Sequence, residues 1–266
     1  MADQDKQARG ITAIEVKGFK SLRDETRIAI RPLTVLAGAN SSGKSSIMQP
    51  LLLLKQTLES SPYDRGALKL DGPNVQYTEA SQFFSFKTGA DESDAHFMLK
   101  VTWGGDVSVK NVYQLTSERP RLKLVSTSVY GLDGEETLIH DMPQEEVVRF
   151  AEKAFGRRLQ NPDLNLSITR FNGFLALVSS SERRLGLLSI FLVPEELTES
   201  ISQIIHIPGI RTFPSRTYPL VLVTNNRFQG TFENFVAQVL VSWQDAVDPK
   251  LDVLFSQLRI LSLHPT

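Results

Sequence analysis

The residues with the clearest chemical meaning form one eight-residue run, Gly38-Ala39-Asn40-Ser41-Ser42-Gly43-Lys44-Ser45, directly after the apolar segment Leu33–Leu36. The run fits the pattern G-x-x-x-x-G-K-[ST] at every position, with an apolar helical segment behind it. Glycine permits backbone conformations and close approaches that a Cβ would block. Consecutive N–H groups can then turn inward and cradle a phosphate, helped by the positive end of the following helix. The run therefore predicts a phosphate-binding loop.

Within this loop the side chains have separate expected roles. Lys44 would reach the β- and γ-phosphates of a nucleotide, and the Ser45 hydroxyl would ligate Mg²⁺. The alternative is a Gly/Ser-rich turn that matches the pattern by chance, but strand, loop and helix signals all agree here. We expect ATP and Mg²⁺ as cofactors, held by Gly38, Asn40, Ser41, Ser42, Gly43, Lys44, Ser45 and Ser46.

Composition excludes several other classes of function. The 266 residues allow a sizeable core, and a net charge of −1 gives no overall field that would demand nucleic acid or an anionic membrane. The absence of cysteine excludes disulfides, thiolate metal sites and a cysteine nucleophile. The first residues lack the apolar core of a signal peptide, and no apolar run could span a bilayer. We expect a soluble cytoplasmic protein without a membrane partner.

Periodicity predicts an α/β protein with many antiparallel strands. Two strands should flank the turn Gly18–Leu22, Leu33–Leu36 should be a buried strand, and a helix should run from Gly43 to about Leu58. Pro50 should kink or break this helix near Gln49. Further expected strands lie at 96–103, 107–115 and 122–130, a hairpin turns at Asn172-Gly173, and helices cover 143–155, 195–205, 231–243 and 249–261.

Other phosphate-binding classes can be tested by their remaining motifs. A GTPase should carry D-x-x-G and N-K-x-D, and neither pattern occurs in the sequence. A small-molecule kinase should have an arginine-rich lid, whereas the only arginine pairs, Arg157-Arg158 and Arg183-Arg184, are more simply explained as solvated surface. Neither class is favoured.

The opening of the chain resembles the ABC-type heads of RecF, SMC and OLD-like ATPases. The shared features are a strand, the turn Gly18-Phe19-Lys20-Ser21-Leu22, a second strand, the segment ending Leu33-Thr34-Val35-Leu36, and the phosphate-binding run. Later segments resemble a bacterial subgroup of AAA-family ATPases, namely His206–Arg211, Pro214–Pro219 and Gly230–Ala237. The resemblance implies an ATPase that switches assembly state and controls an effector or a DNA transaction, in phage defence or genome maintenance.

The resemblance also implies groups that the sequence does not show. Such heads complete their site with a serine-glycine signature, a Walker B Asp-Glu after four aliphatics, and a switch histidine. Asp24-Glu25 and Asp91-Glu92 follow no aliphatic run, and Pro194 stands where an aspartate should follow Ile190–Val193. We therefore expect only the N-terminal part of a head, completed by further sequence or by a second protein. The alternative is a non-hydrolysing nucleotide-binding module that regulates a partner by assembly.

The resemblance suggests secondary site residues. Gln82 is the first choice for a metal-contacting glutamine, with Gln76 second, and Lys20 occupies the turn whose basic residue approaches the nucleotide in such proteins. For each, an ordinary solvated side chain is the plainer interpretation. Arg211 and Arg216 could meet phosphate, DNA or a partner carboxylate, although structural salt bridges are the simpler assignment, and His206 is more simply a packed histidine.

The expected organisation has four parts. A disordered tail covers 1–10, a nucleotide-binding lobe 11–90, a β-rich insertion or arm 91–193, and a helical segment 194–266 leads toward a missing C-terminal ATPase lobe. Expected partners are a second copy of the chain in an ABC-type dimer or a complementary chain supplying that lobe, together with an effector protein or DNA.

Overall fold

The computed structural model describes residues 10–60, 66–86, 95–117, 121–131, 134–155, 164–181, 184–190, 192–207 and 232–260. Its backbone divides into two compact units, residues 1–202 and residues 203–266. The first unit contains the predicted phosphate-binding loop and the described strands. The strands are β1 (Ile11–Lys17), β2 (Thr26–Ala29), β3 (His96–Trp103), β4 (Val107–Leu115), β5 (Leu122–Gly131), β6 (Gly134–Ile139), β7 (Leu164–Phe171), β8 (Phe174–Ser181) and β9 (Arg184–Ile190).

These strands form two antiparallel sheets. The larger sheet has the order β2-β1-β3-β4-β5-β6, and the smaller has the order β7-β8-β9. The described helices are α1 (Gln49–Leu58), α2 (Gln144–Phe155), α3 (Glu195–Ser202), α4 (Phe232–Asp245) and α5 (Lys250–Ile260), with a 3-10 helix at Ala80–Phe83. The predicted α/β class, with antiparallel strands and a helical C-terminal segment, is confirmed.

Alternation along the strands explains which face of the larger sheet is buried. Ile14 of β1 pairs with Val101 of β3, and Val101 with Val109 of β4, so that one row of aliphatic side chains crosses neighbouring strands. The opposite face is polar: Glu15 of β1 lies beside Lys100 and Arg27, at 3.6 and 3.2 Å between charged atoms. The β-branched side chains at alternate positions are those that pack well on one face of a pleated sheet.

Aromatic rings fill the end of the core nearest the turn Gly18–Leu22. Phe19, Phe83 and Phe97 are each at most 1% exposed, and their ring centroids lie 5.3 to 5.5 Å apart. Phe97 also stacks on Tyr113 of β4. Aromatic pairs at these separations stabilise a fold by more than the burial of their surface area alone, so the cluster anchors the turn and the 3-10 helix to the larger sheet.

Helix α1 packs into the centre of the first unit. Leu51, Leu53 and Leu54 are at most 2% exposed. A Cβ on Gly173, in the turn between β7 and β8, would lie 2.7 Å from Leu54 Cδ1, and Gly173 has a positive φ of 76°. This turn therefore needs glycine both for its conformation and for its contact with α1.

Lys55 is an unusual member of this buried helix. Its side chain is 0% exposed, forms an ion pair with Glu59 one turn later, and donates to the carbonyl of Ser202 at 2.9 Å. Ser202 is the last residue of α3, where helix carbonyls lack partners within the helix. A lysine is favoured there by the negative end of the helix, so Lys55 joins α1 to α3.

The second unit is described by itself. Its helices α4 and α5 meet through the turn at 246–249, where Asp248 N donates to the carbonyl of Trp243 at 2.9 Å. The sequence predicts Asp248 as the cap of the last helix, and this is confirmed, since Asp248 Oδ1 accepts the N–H of Lys250 at 2.9 Å. None of the described helices in either unit is long and apolar enough to cross a membrane.

Two predictions around the phosphate-binding run are wrong. Leu33–Leu36 is not a strand and is not buried, since Leu33 and Val35 are 82% and 77% exposed. The helix does not start at Gly43 but at Gln49, after a series of turns, so that Pro50 lies in its first turn. Proline is tolerated there because the first N–H groups of a helix have no internal partner, and the break expected near Gln49 is the helix start itself.

Two further details of the first unit differ from what the sequence predicts. The sequence around Gly72, with Leu68–Leu70 before it and Val75–Tyr77 after it, predicts a hairpin, but the structure has only one bridge there, between Asp71 and Gln76. Strand β6 was not predicted. The expected boundary at residue 90 lies between β1 and β3, which are hydrogen-bonded neighbours in one sheet. The four-part division as a whole stays a prediction.

A buried polar network joins the two sheets. Thr127 Oγ1 donates to Asn111 Oδ1 at 2.8 Å and accepts the N–H of Leu175 at 3.0 Å, while Asn111 Nδ2 donates to the carbonyl of Gly173 at 3.0 Å. Thr127 is 0% exposed. The network therefore supplies partners to polar groups that water does not reach.

We expect the isosteric change Thr127→Val to lower the free energy of unfolding by about 2–4 kcal/mol, because it leaves two buried polar groups without a partner. Thr169→Val is the matched control, since Thr169 is an exposed strand residue and loses only a solvated hydroxyl. Urea unfolding of both variants measures the difference. Equal midpoints would contradict a role for the network in joining the sheets.

Candidate functional site

The phosphate-binding run forms a tight loop with three positive backbone angles. Gly38, Ser41 and Gly43 have φ values of 155°, 65° and 92°. A Cβ on Gly38 would lie 2.8 Å from the Ser42 hydroxyl, which would have to rotate away, and the positive φ itself favours glycine. Ser41 adopts the left-handed region without being glycine, which costs about 1–2 kcal/mol.

Lys44 closes this loop on itself. Its Nζ donates to the carbonyl of Gly38 at 2.8 Å and to the carbonyl of Ala39 at 2.6 Å. Both acceptors lie at the start of the loop, five and six residues before the lysine. The ammonium group is therefore inside the curve of the backbone, on the side where a phosphate would be held.

The main chain behind Lys44 offers donors for an anion. Within the described ranges, the N–H groups of Gly43, Lys44, Ser45 and Ser46 have no acceptor. The carbonyl of Gly43 does accept the N–H of Ile47, at 3.0 Å, so the turns leading to α1 already hold these amides in place. Consecutive N–H groups beside a lysine fit the phosphates of a nucleotide.

The turn Gly18–Leu22 packs against the phosphate-binding loop at Gly43. A Cβ on Gly43 would lie 2.7 Å from Leu22 Cδ2 and 3.0 Å from Ser21 Oγ. Both residues belong to the turn Gly18–Leu22, which the aromatic cluster anchors to the larger sheet. The sequence-predicted turn and loop are thus in direct contact.

Lys20, in the same turn, is fixed through its backbone. It has a positive φ of 49°, its N–H donates to the carbonyl of Phe83 at 2.8 Å, and its carbonyl accepts the Ser85 hydroxyl. Its Nζ lies 4.8 Å from the centre of the Tyr77 ring. Burial lowers the pKa of Lys20 below its ordinary value, because desolvation disfavours the charged form.

The glutamines chosen from sequence do not face the loop through any described contact. Gln82 is exposed, and its amide is paired with Thr78: Nε2 donates to Thr78 Oγ1 at 2.8 Å, and Oε1 accepts the Thr78 N–H at 3.1 Å. Gln76 is also exposed and lies in the single bridge to Asp71. A metal-binding role for Gln82 stays a prediction.

The remaining sequence candidates lie elsewhere. Arg211 and Arg216 fall outside the described residues, and His206 is a half-buried residue of the second unit. In the ranges that the structure describes, there is no group of three or more histidine, aspartate or glutamate side chains arranged to hold a metal ion. Ser45, the predicted Mg²⁺ ligand of the loop, is an exposed residue.

A cavity of about 560 Å³ opens beside the segment that leads to Gln82. An apolar floor that includes Leu68 and Leu122 is bordered by Glu79 and Arg121, whose charged groups are 3.7 Å apart. No residue of the run Gly38–Ser45 lines it. The cavity is therefore separate from the phosphate-binding loop.

Comparison with known proteins supports the interpretation of the loop. Residues 10–117 match the family model described as an AAA ATPase domain. This range contains the turn Gly18–Leu22, the loop and strands β1 to β4. The match supports an AAA-family ATPase and, with it, nucleotide binding. A search of curated proteins gives no match.

Sequence reasoning missed two residues that the structure brings to this region. Tyr77 donates its hydroxyl to Gln49 Oε1 at 2.8 Å, and Gln49 is the first residue of α1. The two lie 28 positions apart in the chain, and neither belongs to a recognised motif. The one signal in the sequence is Pro50, which is favoured in the first turn of a helix and could have placed the helix start at Gln49.

We expect Gly43→Ala to destabilise the first unit more than Gly105→Ala does. Gly105 has nearly the same φ, 93° against 92°, but a Cβ there would meet nothing within 4 Å. Gly105→Ala should cost about 1–2 kcal/mol for conformation alone, and Gly43→Ala about 1–3 kcal/mol more for the contact with Leu22 and Ser21. Thermal or urea unfolding checks this, and equal losses would show that the turn does not support the loop.

Proposed function

We propose that this chain is the ATP-binding head of an ABC-type AAA-family ATPase. The observation that carries the proposal is the loop at Gly38–Ser46: Lys44 Nζ donates to carbonyls at the start of the loop, and within the described residues the four N–H groups from Gly43 to Ser46 have no acceptor. The match of residues 10–117 to an AAA ATPase domain supports it. Control of an effector or of DNA, in phage defence or genome maintenance, is the further part of this proposal and rests on the resemblance alone.

The loop residues suggest how ATP would be held. The N–H groups from Gly43 to Ser46 would donate to phosphate oxygens, and Lys44 would exchange two carbonyl acceptors for the β- and γ-phosphates. The ammonium is attracted more strongly by the full negative charges of the phosphates than by the dipoles of neutral carbonyls, so this exchange favours the nucleotide. Bound Mg²⁺ would supply charge neutralisation at the phosphates, with the Ser45 hydroxyl as one ligand.

Hydrolysis needs more than these groups. A carboxylate must hold or polarise the metal and the attacking water, and further donors must close around the γ-phosphate. We propose that a second copy of the chain, or a complementary chain or lobe, supplies them. The chain alone should bind ATP weakly and hydrolyse it at a negligible rate.

We expect Lys44→Ala to weaken ATP binding by about tenfold to a hundredfold, because it removes a charged hydrogen bond to phosphate. Lys17→Ala is the control, since Lys17 is an exposed lysine at the end of β1. Titration with a fluorescent ATP analogue in Mg²⁺ measures both affinities. Unchanged binding in Lys44→Ala, or robust Lys44-dependent hydrolysis by the isolated wild-type chain, would contradict the proposal.

A second candidate function is a non-hydrolysing module that sets an assembly state. The exposed segment before the loop favours a role in assembly. Leu33 and Val35 alternate with Thr34, as in a strand, yet their side chains are 82% and 77% exposed. Among the described residues the backbone groups of Leu33–Leu36 have no hydrogen-bond partner, and an exposed apolar segment with unpaired backbone is a site at which another strand can add.

We expect ATP to increase self-association of the wild-type chain, and Leu33→Asp to prevent this increase because it places a charge in the contact. Val253→Asp is the control, an exposed apolar residue of the second unit, and neither change should alter stability by more than about 0.5 kcal/mol. Sedimentation velocity with and without ATP measures the association. A chain that binds ATP and remains monomeric would contradict self-association and leave the complementary chain as the partner to test.

A further inference from the structure

Three side chains from separate segments are in contact: Lys20 of the turn that touches the phosphate-binding loop, Tyr77, and Gln49 at the start of α1. Lys20 Nζ lies 4.8 Å from the centre of the Tyr77 ring, and the Tyr77 hydroxyl donates to Gln49 Oε1 at 2.8 Å. Lys20 directly precedes Ser21, which approaches Gly43 at the loop. Gln49 lies five residues after Lys44. Tyr77 therefore connects the turn under the loop to the helix behind the loop.

The Lys20 ammonium is held by an aromatic face instead of by a carboxylate. In the described part of the chain, no acidic side chain forms an ion pair with Lys20. A cation over a tyrosine ring is stabilised more weakly than one in a buried ion pair. Partial burial desolvates the Lys20 ammonium, which lowers its pKa. An anion beside it would therefore be attracted more strongly than by a fully solvated lysine.

Tyr77 itself is held from two sides. Its ring packs edge-on against Phe83 with centroids 5.0 Å apart, and its hydroxyl is bonded to Gln49. Burial raises the pKa of Tyr77 to about 12, so the hydroxyl remains a protonated donor at neutral pH. The ring is thus a fixed platform, whereas the lysine on it has a flexible stem.

We propose that Tyr77 is a positioning residue for the nucleotide phosphates: its ring holds the Lys20 ammonium beside the loop, and its hydroxyl fixes that ring to the first residue of α1. This inference rests on the proposed ATP binding and adds Tyr77 and Gln49 to the site. Because the attraction of Lys20 grows with the charge on the ligand, its placement favours a nucleoside triphosphate over the diphosphate.

The test compares ATP and ADP affinities of the full chain in Mg²⁺. We expect Tyr77→Leu, which removes the ring face, to weaken ATP binding by about three- to tenfold, with a smaller loss for ADP. Tyr77→Phe keeps the ring and its packing on Phe83 and should lose less. In a Lys20→Met background, Tyr77→Leu should have little further effect, because the lysine that the ring positions is already gone.

Tyr130→Leu is the matched control. Tyr130 also carries lysines over its ring, with the Nζ atoms of Lys100 and Lys110 at 5.2 and 5.1 Å from the centroid, but it lies on β5 among the polar residues of the larger sheet. This variant should leave the ratio of ATP to ADP affinity unchanged. Equal losses for ATP and ADP in Tyr77→Leu, or losses that multiply with those of Lys20→Met, would overturn the inference and assign Tyr77 a purely structural role.

A second measurement uses the wild type and the conservative Tyr77→Phe variant, which retains the aromatic packing. ATP should protect Lys20 from acetylation by an amine reagent more than ADP does, and Lys110 should show no protection. Loss of the difference between ATP and ADP in Tyr77→Phe would support the hydroxyl's role. Lys44-dependent ATP binding without any protection of Lys20 would overturn this inference alone, whereas absence of Lys44-dependent binding would overturn the proposed function with it.

Discussion

The candidate site depends on one close contact, the approach of Gly43 to the turn Gly18–Leu22. At this position a Cβ would lie 2.7 Å from Leu22 Cδ2, so the backbone of Gly43 packs directly against a side chain of the turn. The turn is anchored by Phe19, which is fully buried against Phe83 of the 3-10 helix and Phe97 of the larger sheet. A mostly exposed loop is therefore supported by the buried core through this turn, in addition to the hydrogen bonds that Lys44 forms within the loop.

Local patterns in the sequence were sufficient for most of the elements. Alternation predicted β3, β4 and β5, and Asn172-Gly173 predicted the turn between β7 and β8. Pairings between distant segments could not be predicted in this way, because alternation specifies which face a residue occupies and not which strand lies next to it. The pairing of β1 with β3, across 79 residues from Lys17 to His96, and the contact of Gly173 with Leu54 are both of this kind.

The two wrong predictions near the loop have different physical causes. Leu33–Leu36 was expected to be buried because a continuous apolar run is typical of a strand covered on both sides, but an apolar run shows only what a segment would gain from burial. Whether another segment covers Leu33–Leu36 depends on how the rest of the chain folds. The helix start was misplaced because glycine and serine in 43–46 permit turns as readily as a helix, and Pro50 is most favourable in a first turn. The chemistry of the loop was predictable from its residues, and Tyr77 was not, since its role depends on a contact between distant segments.

Both lysines of the site make internal contacts that a phosphate could replace. Lys44 donates to two backbone carbonyls, and Lys20 lies over an aromatic ring; within the described structure neither forms an ion pair with a carboxylate. A carboxylate partner would compete with phosphate for the same cation, whereas neutral acceptors hold the side chain in place at a lower cost of release. Lys55, by contrast, is fully buried and paired with Glu59, and it joins α1 to α3. Lys55 thus has a charged partner and a structural role, whereas Lys44 and Lys20 have neutral partners that a bound anion can replace.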